Sequence, residues 1–192
     1  LEVDGIFKCM LLLKKKKYAA LTVTETPEGT LTYAKELKGL DLVRRDWCVL
    51  SKETGRFVID QILSGENRDA VVATIHTYLE ELAKRMRAGE VDVRQYAITK
   101  GLNKAPHEYP DAKSQPHLQV ALAMMKAGKP VNVGDHIEYV ICEKEGAKAA
   151  AERAFHPDDV QRSEGELKVD VEWYLTQQIL PPISRLCEPI EG

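Results

Sequence analysis

The chain has 192 residues, is 44% hydrophobic and carries a net charge of −3, enough for one good core or one core and part of another. A mildly acidic body excludes a protein that coats nucleic acid over its whole surface. No apolar run approaches the ~20 residues of a membrane span. Cys9, Cys48, Cys142 and Cys187 are scattered without a CxxC pair, a poor zinc pattern that reads as reduced thiols of an intracellular protein.

The opening Leu1-Glu2-Val3-Asp4-Gly5 runs straight into a strand, and Glu191-Gly192 ends just past an apolar helical pattern, so both ends read as cut from something larger. Residues 6–13 and 16–24 are predicted strands, with lysines at their turn and at the start of the second. Residues 8–17 contain five lysines and no acid, whereas Glu164 to Glu172 is mainly acidic. Four adjacent ammonium groups, Lys14 to Lys17, repel one another and normally meet a polyanion or point into water. Leu11, Leu12 and Leu13 before them, and Ala19, Leu21 and Val23 after them, fix the charges on a folded scaffold. Strand alternation puts Lys16, Tyr18 and Thr22 on one wet face and Ala19, Leu21 and Val23 on the other. A third strand is expected at Thr30 to Lys35, after the turn Thr26-Pro27-Glu28-Gly29.

Gly39 follows Lys38 where the strand pattern ends, and a glycine there lets the backbone approach a ligand closely. Arg44 and Arg45 then precede a helix with apolar Trp47, Leu50, Phe57, Val58 and Ile62. Arginine forks suit phosphate oxygens, although Arg45 and Asp46 can equally pair with other side chains. A second helix is predicted from Asp69 to Arg87, with Val71, Ile75, Leu79, Leu82 and Met86 on one stripe and Gly89 ending it. A strand at Gln95–Thr99, a proline-punctuated segment from Lys100 to Pro116, a helix at Leu118–Ala127 and a strand at His136–Cys142 follow. Asp158 and Asp159 read as the start of a short helix. The last predicted helix, Val171 to Cys187, is kinked or broken at Pro181-Pro182. The fold class is α+β: a small antiparallel β portion at 1–40, then a mainly helical portion at 41–192.

No Gly-rich phosphate loop, HExxH, GxSxG or CxxC is present; His107, His117 and His156 sit in loop-like stretches without a metal-ligand partner at helical spacing, and His76 and His136 read as ordinary surface or boundary residues. The residues therefore nominate binding, with no catalytic residue and no metal ligand. Two readings stay open on residues alone: a non-enzymatic nucleic-acid-binding module, or an interaction domain whose lysines are only solvated.

KKKKYAAL after an apolar strand, then ELKGLDLVRRDWC, FVIDQILS, YPDAKSQPHLQVA, GDHIEYVIC, YLTQQILPP and RLCEPIEG, resembles the palm-to-thumb passage of family B DNA polymerases over essentially the whole chain. The resemblance implies that 1–40 is the C-terminal part of a palm and 41–192 a thumb. It maps the family's lysine–tyrosine motif onto Lys15, Lys16, Lys17 and Tyr18, which would contact the primer end through the minor groove and backbone. Lys38 and Gly39 match its lysine–glycine element near the primer backbone; Arg44 and Arg45 are added as phosphate contacts from their charge.

The resemblance further implies a parent enzyme that is a replicative DNA-directed DNA polymerase of the nucleus, extending RNA–DNA primers with Mg²⁺. Its expected partners are primer–template duplex DNA or an RNA–DNA hybrid, primase and accessory subunits, with no membrane. The family's magnesium-binding aspartates and its cysteine-rich metal region are not matched by any residue here, so no cofactor is expected in this piece and it is expected to be inactive alone. The hydrophobic edges of its two leading strands would favour dimerisation of the isolated piece.

Overall fold

A computed structural model describes Val3 and residues 5–191; Leu1, Glu2, Asp4 and Gly192, at the two ends that read as cut, lie outside the described residues. The fold class is α+β, as the sequence predicts. Two compact units form: residues 1–44, 51–84 and 179–192 make one, and residues 45–50 and 85–178 the other.

The first unit holds an antiparallel sheet in the order β1 (Phe7–Lys14), β2 (Lys17–Glu25) and β3 (Leu31–Lys38). β3 runs three residues beyond the expected Lys35, because Tyr18, Ala19 and Ala20 continue to pair with Lys38, Leu37 and Glu36. Register follows from the β2–β3 turn, where Thr26 and Thr30 are bridged by an N–H···O bond of 2.9 Å and Gly29 sits at φ 80°. The sheet face bearing Cys9, Leu11, Leu13, Ala19, Leu21 and Leu37 packs on Val58, Ile59 and Leu63, Val71 and Ile75, and Ile183, Leu186 and Cys187. These come from α1 (Val49–Ile62) and its end, α2 (Arg68–Arg87) and α6 (Leu180–Glu191). Alternation thus sorts the sheet as read: Ala19 and Leu21 go to the core, Tyr18 and Thr22 to the other face. Truncating a side chain such as Ile59, fully buried here, costs about 2–5 kcal/mol in general.

In the second unit β4 (Ile98–Gly101), β5 (His136–Ile141) and β6 (Ala154–Phe155) form an antiparallel sheet in that order. Residues 95–96, predicted as strand, belong to a 3₁₀ turn, Val93–Tyr96, because the Asp92 carboxylate accepts the Arg94 N–H at 2.7 Å and caps it. The core joins Leu102, Leu118, Val120, Ala121 and Ile137, with α3 spanning Pro116–Lys126. Buried Tyr174 accepts the Ile141 N–H at 3.0 Å and packs on Tyr96 with ring centroids 4.8 Å apart. Burial drives its phenol pKa well above the ordinary value. The short helix read at Asp158 is α4 (Pro157–Arg162), whose first turn is capped by His156: its Nδ1 accepts the Asp158 N–H at 3.1 Å.

The break expected at Pro181-Pro182 takes a specific form. α5 (Val171–Tyr174) passes into a π-helical turn, Leu175–Ile179, which passes into α6. Two prolines cannot donate to the carbonyls one turn back, and the wider π turn ends where they begin. Both prolines fall in the first turn of α6, where missing N–H groups leave few bonds unmade.

Candidate nucleic-acid interface

The lysine run forms the tip of the β1–β2 hairpin. Lys15 and Lys16 make the turn between strands, which corrects the expectation that Lys16 opens the second strand. The ladder slips by one between Leu12↔Tyr18 and Lys14↔Lys17, and Lys16 has φ 66°. That combination is a hairpin loop closed by a bulge whose left-handed residue is Lys16. Glycine is the default residue there, because a Cβ at positive φ crowds the following carbonyl at a cost of roughly 1–2 kcal/mol. A lysine held in that conformation keeps its ammonium at the tip against local preference.

Gly39 fixes the tip from the third strand. It sits at φ 65°, and a Cβ there would lie 2.3 Å from the Lys16 carbonyl oxygen and 3.1 Å from Lys17 Cγ. Only glycine lets the Lys38–Gly39 backbone lie against the Lys16 peptide. The close approach at Gly39, expected toward a ligand, is made in the structure to the lysine turn of the chain itself.

Lys14, Lys15 and Lys16 are exposed and Lys17 half-buried, and none of the four has an ion-pair partner among the described residues. Beside them the same sheet face carries Tyr18, Glu36 and Lys38. The Tyr18 hydroxyl donates to Glu36 Oε1 at 2.7 Å, Lys38 Nζ reaches the same oxygen at 2.9 Å, and Lys38 sits 5.7 Å from the Tyr18 ring centroid. The Tyr18 hydrogen bond, and then Lys38, hold the Glu36 carboxyl below the usual range; Glu36 in turn raises Lys38. Phe7 meets the Tyr18 ring edge-on at 6.5 Å. The face thus pairs a neutralised Tyr–Glu–Lys cluster with a tip of four cations that have no ion-pair partner among the described residues.

Glu36 is the residue that sequence reading missed. The signal was present: once the turn at Thr26–Thr30 fixes the register, Lys38 falls opposite Tyr18 and Glu36 lies on the same face.

Arg44 follows the short turn Asp41–Val43 in the first unit, its N–H bonded to the Asp41 carbonyl at 2.9 Å. Arg45 belongs to the second unit, where Nη1 lies 2.5 Å from His136 Nε2. The lysines, Tyr18, Lys38 and Gly39 therefore form one local surface, and Arg45 stands in a different setting beside a histidine. Among the described residues no helix is long and apolar enough to cross a membrane.

The magnesium implied by the resemblance has no matching donor set: no group of three or more His, Cys, Asp or Glu among the described residues is placed to hold a metal ion. Two acids of this unit are engaged by side chains, Glu36 by Tyr18 and Lys38, and Asp41 by Arg185 at 2.8 Å.

The model of DNA polymerase family B matches residues 1–190. The chain belongs to DNA polymerase family B. It is 48% identical to the DNA polymerase alpha catalytic subunits of Xenopus laevis and of Mus musculus, in each case over its whole length. The rice (Oryza sativa subsp. japonica) DNA polymerase alpha catalytic subunit is 46% identical over the same extent. The chain spans about 13% of the length of these curated relatives. Among solved structures, the family B DNA polymerase of the hyperthermophilic archaeon Pyrobaculum calidifontis superposes with a TM-score of 0.74 at 28% identity, covering 97% of this chain and 22% of that one. Family B membership thus extends through both units, since the match runs from the lysine hairpin to α6.

Proposed function

We propose that this chain is the primer–template-gripping palm and thumb portion of a replicative DNA-directed DNA polymerase of the alpha type. In this reading residues 1–40 are the end of the palm and residues 41–192 the thumb. The observation that carries it is Lys16, a charged residue held at φ 66° in a bulge that Gly39 clamps, at the centre of four cations that have no ion-pair partner among the described residues. A merely solvated tip needs neither the left-handed lysine nor the clamp.

The chemistry follows from the donors. Minor-groove edges of every base pair offer acceptors, so lysine contacts test pairing geometry without reading sequence. Lys15, Lys16 and Lys17 are free to donate to those acceptors or to phosphates. The Tyr18 proton is committed to Glu36, which leaves the phenol oxygen as an acceptor and the ring as a surface against the sugar edge. Lys38 shares one proton with Glu36 and keeps two for the primer backbone. Gly39 acts by holding Lys16, and Arg44 and Arg45 add phosphate contacts by charge.

Likeness to catalytic subunits of DNA polymerase alpha supports a parent that polymerises DNA; that the parent is nuclear and works with primase and accessory subunits on DNA or RNA–DNA primers is part of the proposal. The parent's magnesium would be held outside the residues described here, and no catalytic step is assigned to this chain. The 192-residue chain is expected to bind duplex and not to extend it.

Fluorescence anisotropy with a labelled primer–template tests the reading. Four cations on phosphates give a salt slope of about −3.6, so affinity falls on the order of a hundredfold between 50 and 200 mM salt. A primer–template should compete better than single strands. Equal affinity for single strands would favour a general nucleic-acid module, and no binding at low salt would refute the reading.

A further inference from the structure

The other side of the lysine hairpin borders a cleft of about 330 Å³ within the first unit. Its apolar walls include Leu40, Leu42, Leu186 and Pro189, and Gly55 of α1 lines it where Leu42 packs closely on the helix backbone. Lys14 and Lys17 line it as well, and the two are direct cross-strand partners. Like charges opposite each other destabilise a strand pair, and neither lysine has an acid partner among the described residues. Of the other charged groups on the wall, Asp41 and Arg185 pair at 2.8 Å, and Glu188 stands opposite as the remaining acid.

We propose that this cleft binds a small amphipathic anion: an apolar body against the leucines and Pro189, and one carboxylate or sulfonate head between Lys14 and Lys17. A volume at the lower end of small-molecule sites, mostly apolar walls and a few convergent polar groups are the ordinary make-up of such a pocket. The head group relieves the Lys14–Lys17 repulsion, so charge supplies selectivity and the walls supply affinity. Because Lys17 is shared with the surface proposed to grip duplex, a clause that rests on that reading, the bound anion lowers duplex affinity.

The probes are 8-anilinonaphthalene-1-sulfonate and its uncharged analogue N-phenyl-1-naphthylamine, titrated by fluorescence into the 192-residue chain without DNA. One sulfonate site is expected, at least tenfold tighter than the neutral probe, with amide shifts centred on Leu42, Ser51 and Gly55. The Lys14→Ala/Lys17→Ala variant should lose that tenfold preference while binding the neutral probe unchanged, and circular dichroism checks its fold. Lys15→Ala/Lys16→Ala removes equal charge from the tip without touching the cleft, and should keep sulfonate affinity while losing duplex affinity. Sulfonate affinity unchanged in the first variant, equal loss in both, or several equivalent sites would overturn the inference. Duplex binding by the unsubstituted chain, measured without probe, tests the polymerase reading separately: no duplex binding there, with an intact sulfonate site, refutes only the grip.

Discussion

Replacing Gly39 by alanine isolates the device that shapes the lysine tip. Two costs add. A Cβ at φ 65° costs roughly 1–2 kcal/mol wherever it occurs. The same Cβ would lie 2.3 Å from the Lys16 carbonyl oxygen, far inside contact, and backbone cannot swing away as a long side chain can. Forcing such an overlap costs about 1–3 kcal/mol more. The control is Gly65→Ala, where φ is 82° and nothing lies within 4 Å of the added atom, so only the first cost applies. Urea unfolding should show Gly39→Ala less stable than wild type by about 3 kcal/mol and less stable than Gly65→Ala by about 1–3 kcal/mol. A domain with about 5–15 kcal/mol in total remains folded under that loss. Duplex affinity should fall in Gly39→Ala, because the overlap displaces Lys16, and stay unchanged in Gly65→Ala. Equal destabilisation of the two variants would refute the clamp.

Further outcomes follow from the same geometry. Lys15→Ala/Lys16→Ala should reduce the salt slope of duplex binding by about 1.8 with no loss of thermal stability, since both side chains are exposed; an unchanged slope would remove them from the interface. Glu36→Gln should tighten duplex binding several-fold at low salt, and the gain should vanish at high salt, as it removes an acid that shares its face with Tyr18 and Lys38. His117 is buried with Nδ1 unpartnered, and burial, then Lys100, lowers its pKa to about 4 from an ordinary value near 6.5. The folded state holds it neutral, so its contribution is complete above about pH 6.5 and is lost as pH falls toward 4, by about 3 kcal/mol. Urea melts from pH 7.5 to 4.5 should show that slope, and His117→Gln should flatten it. In primer extension with Mg²⁺, the 192-residue chain should add no nucleotide; synthesis by the purified chain would overturn its assignment as a grip alone.

The sequence exposed the β-strand faces and long helices because burial leaves a periodic record. Ala19 and Leu21 against Tyr18 and Thr22, and the stripe from Val71 to Met86, are such records. The lysine cluster was legible as charge. Its shape was not, because a left-handed lysine breaks the rule that would flag a turn with glycine. Gly39 was visible as a glycine, but its contact is set by register with a distant turn and leaves no local trace. The last residues of β3 were missed since Glu36 and Lys38 carry no apolar alternation on an open face. Residues 95–96 looked like strand from composition, and the Asp92 cap overrode it.

The passage from α5 through the π turn to α6 reconciles two periods. Its buried positions are Tyr174 and Leu175, Gln178 and Ile179, Pro182 and Ile183, Leu186 and Cys187, a repeat of four. A regular helix repeats every 3.6 residues, so a four-residue repeat drifts by about 40° at each step and would spiral a buried stripe into water. The wider π turn takes up about one extra residue and so absorbs part of that drift along the chain. Within α6, Ile183 and Leu186 are buried in the core of the first unit. Deleting a single residue between them would turn Leu186 off that core by about 100°, so this helix tolerates substitutions far better than changes in length.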